Sequence, residues 1–195
     1  FTKTLKSGKF TFDIDDNAEF VFIITPAGYV ADWTSGVPAF YKAAAGISRF
    51  DFQLTRTAGG DDYSIVAMAD PQTYSDEHFA KFAGQPLDDI CKTTKSLDGV
   101  AVGLTLGDIS WDRIDMLDRY KQEIVRTGIP FYPVIGNHDY EAYVQGDKEA
   151  SAGYRSKMGP ENYAFCLGKD VVIVLDNIIY DTNFKSTDGY TNETI

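Results

Sequence analysis

Gly99 to Asp108 reads G-V-A-V-G-L-T-L-G-D, an uncharged run closed by a glycine and an aspartate. An apolar run without polar alternation suits a strand covered on both faces. The glycine lets the chain turn sharply where the strand stops, so the carboxylate falls at the strand's carboxyl end. The same form occurs on both sides of it. Upstream, Tyr63 to Ala69 (Y-S-I-V-A-M-A) runs into Asp70-Pro71-Gln72. Downstream, Phe131 to Ile135 runs into Gly136-Asn137-His138-Asp139.

Helical patterns separate the three runs. Ser75 can cap a short helix through Phe82, stopped by Gly84. Pro86 suits a first helical position, and Asp88 and Asp89 sit at the positive end of the dipole, in a helix reaching about Ser96. A third helix spans Arg113 to Thr127 on a stripe of Ile114, Leu117, Tyr120 and Ile124, ended by Gly128 and Pro130. A weaker helix near Lys148 to Lys157 precedes two strands, Asn162 to Leu167 and Asp170 to Leu175. Asp176-Asn177 ends the second and reads as a structural turn. The order β-α-β-α-β predicts an α/β layered domain with a mainly parallel central sheet.

The first third reads differently. Gly8 to Ile14, Glu19 to Thr25 and Ser48 to Thr57 read as strands, the first and last by alternation, and Tyr29 to Gly46 reads as loop. Gly59 to Asp62 makes a polar break. This predicts a small all-β, sandwich-like domain over residues 1–60, with strands missing before Phe1, and a second domain over 61–195.

Composition narrows the function. The chain has 195 residues, 18 basic against 29 acidic, and a net charge of −11. Such a scaffold repels phosphate backbones, so nucleic acid is not an expected partner. Any phosphate handled here needs a local cation, and a metal supplies one. Cys91 and Cys166 share no metal-type spacing and read as free thiols. No run approaches a membrane span. A start at Phe1 without Met, together with an N-terminal β module, favours export, periplasmic or secreted, over a cytoplasmic location.

Ligands of open α/β sheets gather at the strands' carboxyl ends. Asp70 to Asp108 spans 38 positions and Asp108 to Asn137 spans 29, each the length of one strand–helix crossover. Oxygen ligands from three strands thus converge on one edge, and unpaired carboxylates there call for a cation.

The three motifs resemble those of the calcineurin-like metallophosphoesterases: D-x-H, then G-D-x-x-x-D, then G-N-H-D/E. Here they stand as Asp70-Pro71-Gln72, Gly107-Asp108 with Asp112, and Gly136-Asn137-His138-Asp139. A bacterial subset carries D-P-Q first and a β-rich N-terminal domain. The resemblance implies a layered α/β/β/α-type domain, present here in part, and hydrolysis of a small phosphorylated substrate at a dinuclear metal centre. It implies that Asp70 holds one metal, Asn137 the other, and that Asp108 bridges both, with Gln72 at the position usually filled by His. His138 would face the phosphoester, and Asp139 would hold its ring. The cofactors implied are two divalent ions among Mn, Mg, Fe and Zn. Gln72, a neutral hard oxygen donor, tilts that choice toward Mn or Mg.

The family's later G-H and G-H-x-H motifs are not in this sequence, whose histidines are His78 and His138. The chain therefore reads as truncated, with Thr191 capping a further helix. Four candidate ligands for two ions predict weak metal affinity, low or absent activity, and a piece that does not retain the ions. The alternative reading is a non-catalytic binding module with a degenerate phosphoesterase-like domain. Asp112 reads either as the cap of the helix at Arg113 or as a supporting carboxylate, Trp111 as core, and His78 as a solvated residue.

Overall fold

The computed structural model describes residues 1–57, 60–182 and 185–189. Four strands of three residues come first: β1 (Phe20–Phe22), β2 (Tyr29–Ala31), β3 (Tyr41–Ala43) and β4 (Leu54–Arg56). They form two separate antiparallel pairs, β1 with β3 and β2 with β4. This corrects the sequence reading twice. Gly8 to Ile14 is not a strand, and Tyr29 to Gly46 contains two. The alternating aromatics near the start satisfy one another rather than a ladder. Phe10 stacks on Phe12 at 6.0 Å and approaches Phe52 at 6.3 Å, so ring contact replaces strand pairing.

The chain then alternates strand and helix: β5 (Tyr63–Met68), α1 (Asp76–Gly84), α2 (Pro86–Thr94), β6 (Val100–Leu106), α3 (Met116–Ile124) and β7 (Phe131–Val134). The three strands make one parallel sheet in the order β5-β6-β7, with Met68 opposite Thr105 and Leu106 opposite Val134. Ser75 caps α1, its hydroxyl accepting the His78 backbone N–H, and Pro86 opens α2. Gly128 ends the turn after α3 with a left-handed φ of 76°. Among the described residues β5 pairs with β6 and stands at the sheet's edge, and Ile65 is exposed, so the cover expected on both its faces is incomplete.

The rest consists of α4 (Asp147–Ala150), α5 (Ala152–Met158), an antiparallel hairpin of β8 (Tyr163–Leu167) and β9 (Asp170–Val174), and a second pair, β10 (Ile178–Thr182) with β11 (Lys185–Asp188). This last pair stands where the sequence reading ends in a turn. The helix cap expected at Thr191 lies outside the described residues. No helix among the described residues is long and apolar enough to cross a membrane.

Two buried clusters hold these parts together. Leu117, Tyr120 and Ile124 of α3 join Phe79, Phe82, Leu87 and Phe131 in one. Gly103 makes room there, because a Cβ on it would meet the Phe131 ring at 2.4 Å. The other cluster joins Val102 and Tyr132 to Tyr163 and Phe165 of the hairpin, and to Ala31 and Phe40 of the first third. Tyr132 and Phe165 stack at 3.9 Å, and Phe40 lies 4.7 Å from Tyr163. Helices and hairpin thus pack on a short parallel sheet whose carboxyl ends point to one edge.

Candidate active site

The loops after β5 and β6 turn in an unusual way. Asp70, Gln72, Asp108 and Asp112 all have positive φ, between 46° and 55°. Left-handed backbone costs a non-glycine residue about 1–3 kcal/mol and persists only where its surroundings enforce it. Here hydrogen bonds enforce it. The Gln72 backbone N–H donates to the Asp108 carbonyl at 2.9 Å, and Gln72 Nε2 donates to Asp108 Oδ2 at 3.2 Å. The His138 backbone N–H donates to Asp108 Oδ1 at 3.1 Å. Asp108 is therefore the hub where the three motifs meet, and it is 9% exposed.

Close backbone approach makes the hub possible. A Cβ on Gly136 would stand 2.1 Å from the Asp108 nitrogen and 2.3 Å from Oδ1. The glycine lets the third motif close on the second.

His138 is oriented from two sides. Its Nδ1 lies 3.0 Å from Asp112 Oδ1, and its ring lies flat on Trp111 with centroids 3.7 Å apart and planes 15° apart. The Asp112 backbone N–H also donates to the His138 carbonyl at 2.9 Å. An imidazole held by a carboxylate at Nδ1 leaves Nε2 for outside work.

The carboxylate that takes the ring nitrogen is that of Asp112, not of Asp139. Asp139 points inward and gathers the loop. It accepts the backbone N–H groups of Ile109, Ser110 and Gly136 at 2.9–3.1 Å, and the Ser110 hydroxyl at 3.3 Å. Burial pushes its carboxyl up to about 7, with the Asp108 charge adding to the effect and the three amides opposing it. Asn137–Asp139 is a single 3-10 turn, which sets adjacent side chains about 120° apart, so His138 and Asp139 face different ways. Asp112 does not cap α3 either, since that position belongs to Asp115.

Asp70 is exposed, and its carboxylate has no hydrogen bond or ion pair among the described residues. The Asn137 amide is half-buried beside His138. No group of three or more His, Cys, Asp and Glu side chains that could hold a metal ion occurs among the described residues. The candidate donors are two carboxylates and two amides. His78 is engaged elsewhere, with Nε2 3.0 Å from the Tyr74 hydroxyl and Nδ1 2.9 Å from Ser75 Oγ. Trp111, expected in the core, is 39% exposed at the site's rim.

Comparison with known families bears on a different stretch. Residues 1–57 match the family model of the N-terminal part of calcineurin-like phosphoesterases. The match supports a phosphoesterase family and hydrolase chemistry, and it lies wholly outside the rim just described. No curated protein and no solved structure matches the chain.

Proposed function

We propose that this chain carries part of the site of a metal-dependent phosphoester hydrolase, at the carboxyl ends of β5, β6 and β7, and is itself weakly active. The observation that supports this reading best is the Asp108 hub, together with the Asp112–His138 pair beside it. A phosphoesterase-family match on residues 1–57 and a strained, acid-rich rim on residues 70–139 point to the same class from different residues.

The donor set fits a hard divalent cation. Asp70 and Asp108 bring negative charge, neither forms an ion pair among the described residues, and Gln72 and Asn137 add neutral oxygens. Asp70, Gln72, Asp108 and Asn137 are the residues that would hold the ions, with Mn²⁺ or Mg²⁺ matching oxygen ligands better than Zn²⁺. When bound, such ions would polarise the phosphoryl group and make a water nucleophilic near neutral pH.

The protein's own residues do the rest. With Nδ1 on Asp112, His138 can present a proton at Nε2 to the oxygen leaving phosphorus. Asp112 fixes the ring's direction. Trp111 blocks rotation of the ring out of that plane.

A screen of phosphomonoesters and phosphodiesters against Mn²⁺, Mg²⁺, Fe²⁺ and Zn²⁺ tests the reading. The expected result is metal-dependent turnover that falls ~10²–10⁴-fold in His138→Ala. Asp108→Asn should lose both turnover and calorimetric Mn²⁺ binding. Turnover that survives both substitutions would exclude this site.

A further inference from the structure

The rim carries two exposed aromatic rings, and apart from Trp111's hold on the His138 ring the proposed chemistry gives them no part. Thr73 and Ser110 form an isolated parallel bridge just beyond the strand ends. Tyr74 and Trp111 are the next residue on each side of it, and the Trp111 backbone N–H donates back to the Thr73 carbonyl at 3.3 Å. The two rings therefore leave the bridge at neighbouring positions. Tyr74 is 42% exposed and Trp111 39%. Each is backed by an imidazole: Tyr74 stacks on His78 at 4.0 Å, and Trp111 on His138 at 3.7 Å. A ring backed this way is stiff, so a ligand resting on it loses little by ordering it.

We infer that Trp111, with Tyr74 beside it, is a platform for a flat aromatic group on the leaving side of the phosphoester. The inference rests on the hydrolase reading and names its substrate class. His138 must stand within hydrogen-bond reach of the leaving oxygen to protonate it. The body of the leaving group then lies next to His138, and the apolar surface packed flush against His138 is the Trp111 indole. A saturated alcohol gains only buried area on that surface. A planar ring also gains an offset-stacked contact. Trp111 thus contacts substrate and sets preference, while proton transfer stays with His138.

Binding of phosphonates tests this apart from turnover, since their carbon–phosphorus bond gives His138 no ester oxygen to release. Phenylphosphonate and cyclohexylphosphonate are alike in size and differ in flatness. Calorimetric titration of the chain with Mn²⁺ present should show phenylphosphonate binding about fivefold tighter. Trp111→Leu should bring the two affinities together by weakening phenylphosphonate alone, and Trp111→Phe should restore most of the difference. Trp33 emission and far-UV circular dichroism report whether each variant is folded. Equal affinities in the unsubstituted chain, a preference that survives Trp111→Leu, or no binding of either compound would overturn the platform. A parallel hydrolysis assay separates the two failures. Esters cleaved without an aromatic preference leave the hydrolase reading standing, whereas no cleavage of any ester and no phosphonate binding remove both.

Discussion

Residues 1–57 and the rim built by residues 70–139 both bend sharply, but with different residues at the bends. In the first region every positive-φ position is a glycine: Gly8, Gly28, Gly36 and Gly46. In the second, Gly99, Gly107 and Gly128 bend likewise, but Asp70, Gln72, Asp108 and Asp112 hold the same conformation with side chains attached. Glycine turns at little cost, so the first region's bends serve chain direction. The rim's bends cost energy, which hydrogen bonds to Asp108 and Asp139 offset. Strain kept in place at such expense points to side chains that are needed where they stand. The family match and the candidate chemistry thus fall on separate regions, one relaxed and one strained.

The largest effect that would break this comparison comes from adding one methyl group to each region. Gly136→Ala drives a Cβ onto the Asp108 backbone and carboxylate, and neither can withdraw without opening the hub. The expected loss is about 3 kcal/mol or more in urea unfolding, with Mn²⁺ binding abolished. Gly28→Ala meets nothing within 4 Å and carries only the left-handed strain, about 1–2 kcal/mol. If Gly28→Ala proves the costlier change, the rim is not the rigid part of the molecule.

How much of this was legible in the sequence follows from which interactions are local. The parallel strands announced themselves because Val100 to Leu106 and Phe131 to Val134 are apolar runs, each ended by a glycine before a ligand-type residue. The Ser75 cap and the Pro86 start depend on neighbours within one helical turn, so they were legible too. The ring partner of His138 was not. Asp139 is adjacent in the chain, whereas Asp112 reaches the ring only because its own backbone hydrogen-bonds to the His138 carbonyl across 26 positions. Phe10, Phe12 and Ile14 show strand periodicity without a pairing partner, and alternation cannot report whether one exists. The placement of Trp111 also needed the fold, since an indole between a serine and an aspartate suits a rim or a core equally.

The join between the two regions gives a smaller effect. Arg155 of α5 is nearly buried, with Nε 2.7 Å from Glu19 of the first region and Nη1 3.3 Å from Glu161. Arg155→Ala leaves Glu161 buried without its cation, and about 3 kcal/mol of stability should go with it. Glu19→Gln removes a half-exposed partner and should cost below about 1 kcal/mol. Limited proteolysis should then cut within residues 1–57 faster in Arg155→Ala than in Glu19→Gln. Equal cleavage would mean that Phe40 and Ala31, packed against Tyr163 and its neighbours, hold the first region without help from the ion network.

The smallest effect separates carboxylates that share one cavity of about 250 Å³ along this join, lined in part by Glu19, Glu161 and Asp176. Burial raises Asp176 above the usual carboxylate range, although the Ile178 N–H and the Tyr140 hydroxyl donate to it. Burial acts on Glu19 in the same direction, but Arg155 and Lys148 beside it bring it below that range. The two therefore work against each other with pH. A carboxyl raised by folding keeps its proton longer in the folded chain. Its contribution is complete in acid and is lost as pH rises from the unfolded value through the folded one. A lowered carboxyl contributes above its unfolded value and loses that contribution as pH falls. Asp176→Asn removes the first kind and leaves the second. Between about pH 4 and neutrality, the variant's stability should therefore fall less steeply with rising pH than that of the unsubstituted chain, by at most ~1.4 kcal/mol per pH unit. Urea unfolding at several pH values measures the difference, and an unchanged or steeper slope would show that Asp176 ionises as freely in the cavity as in the unfolded chain.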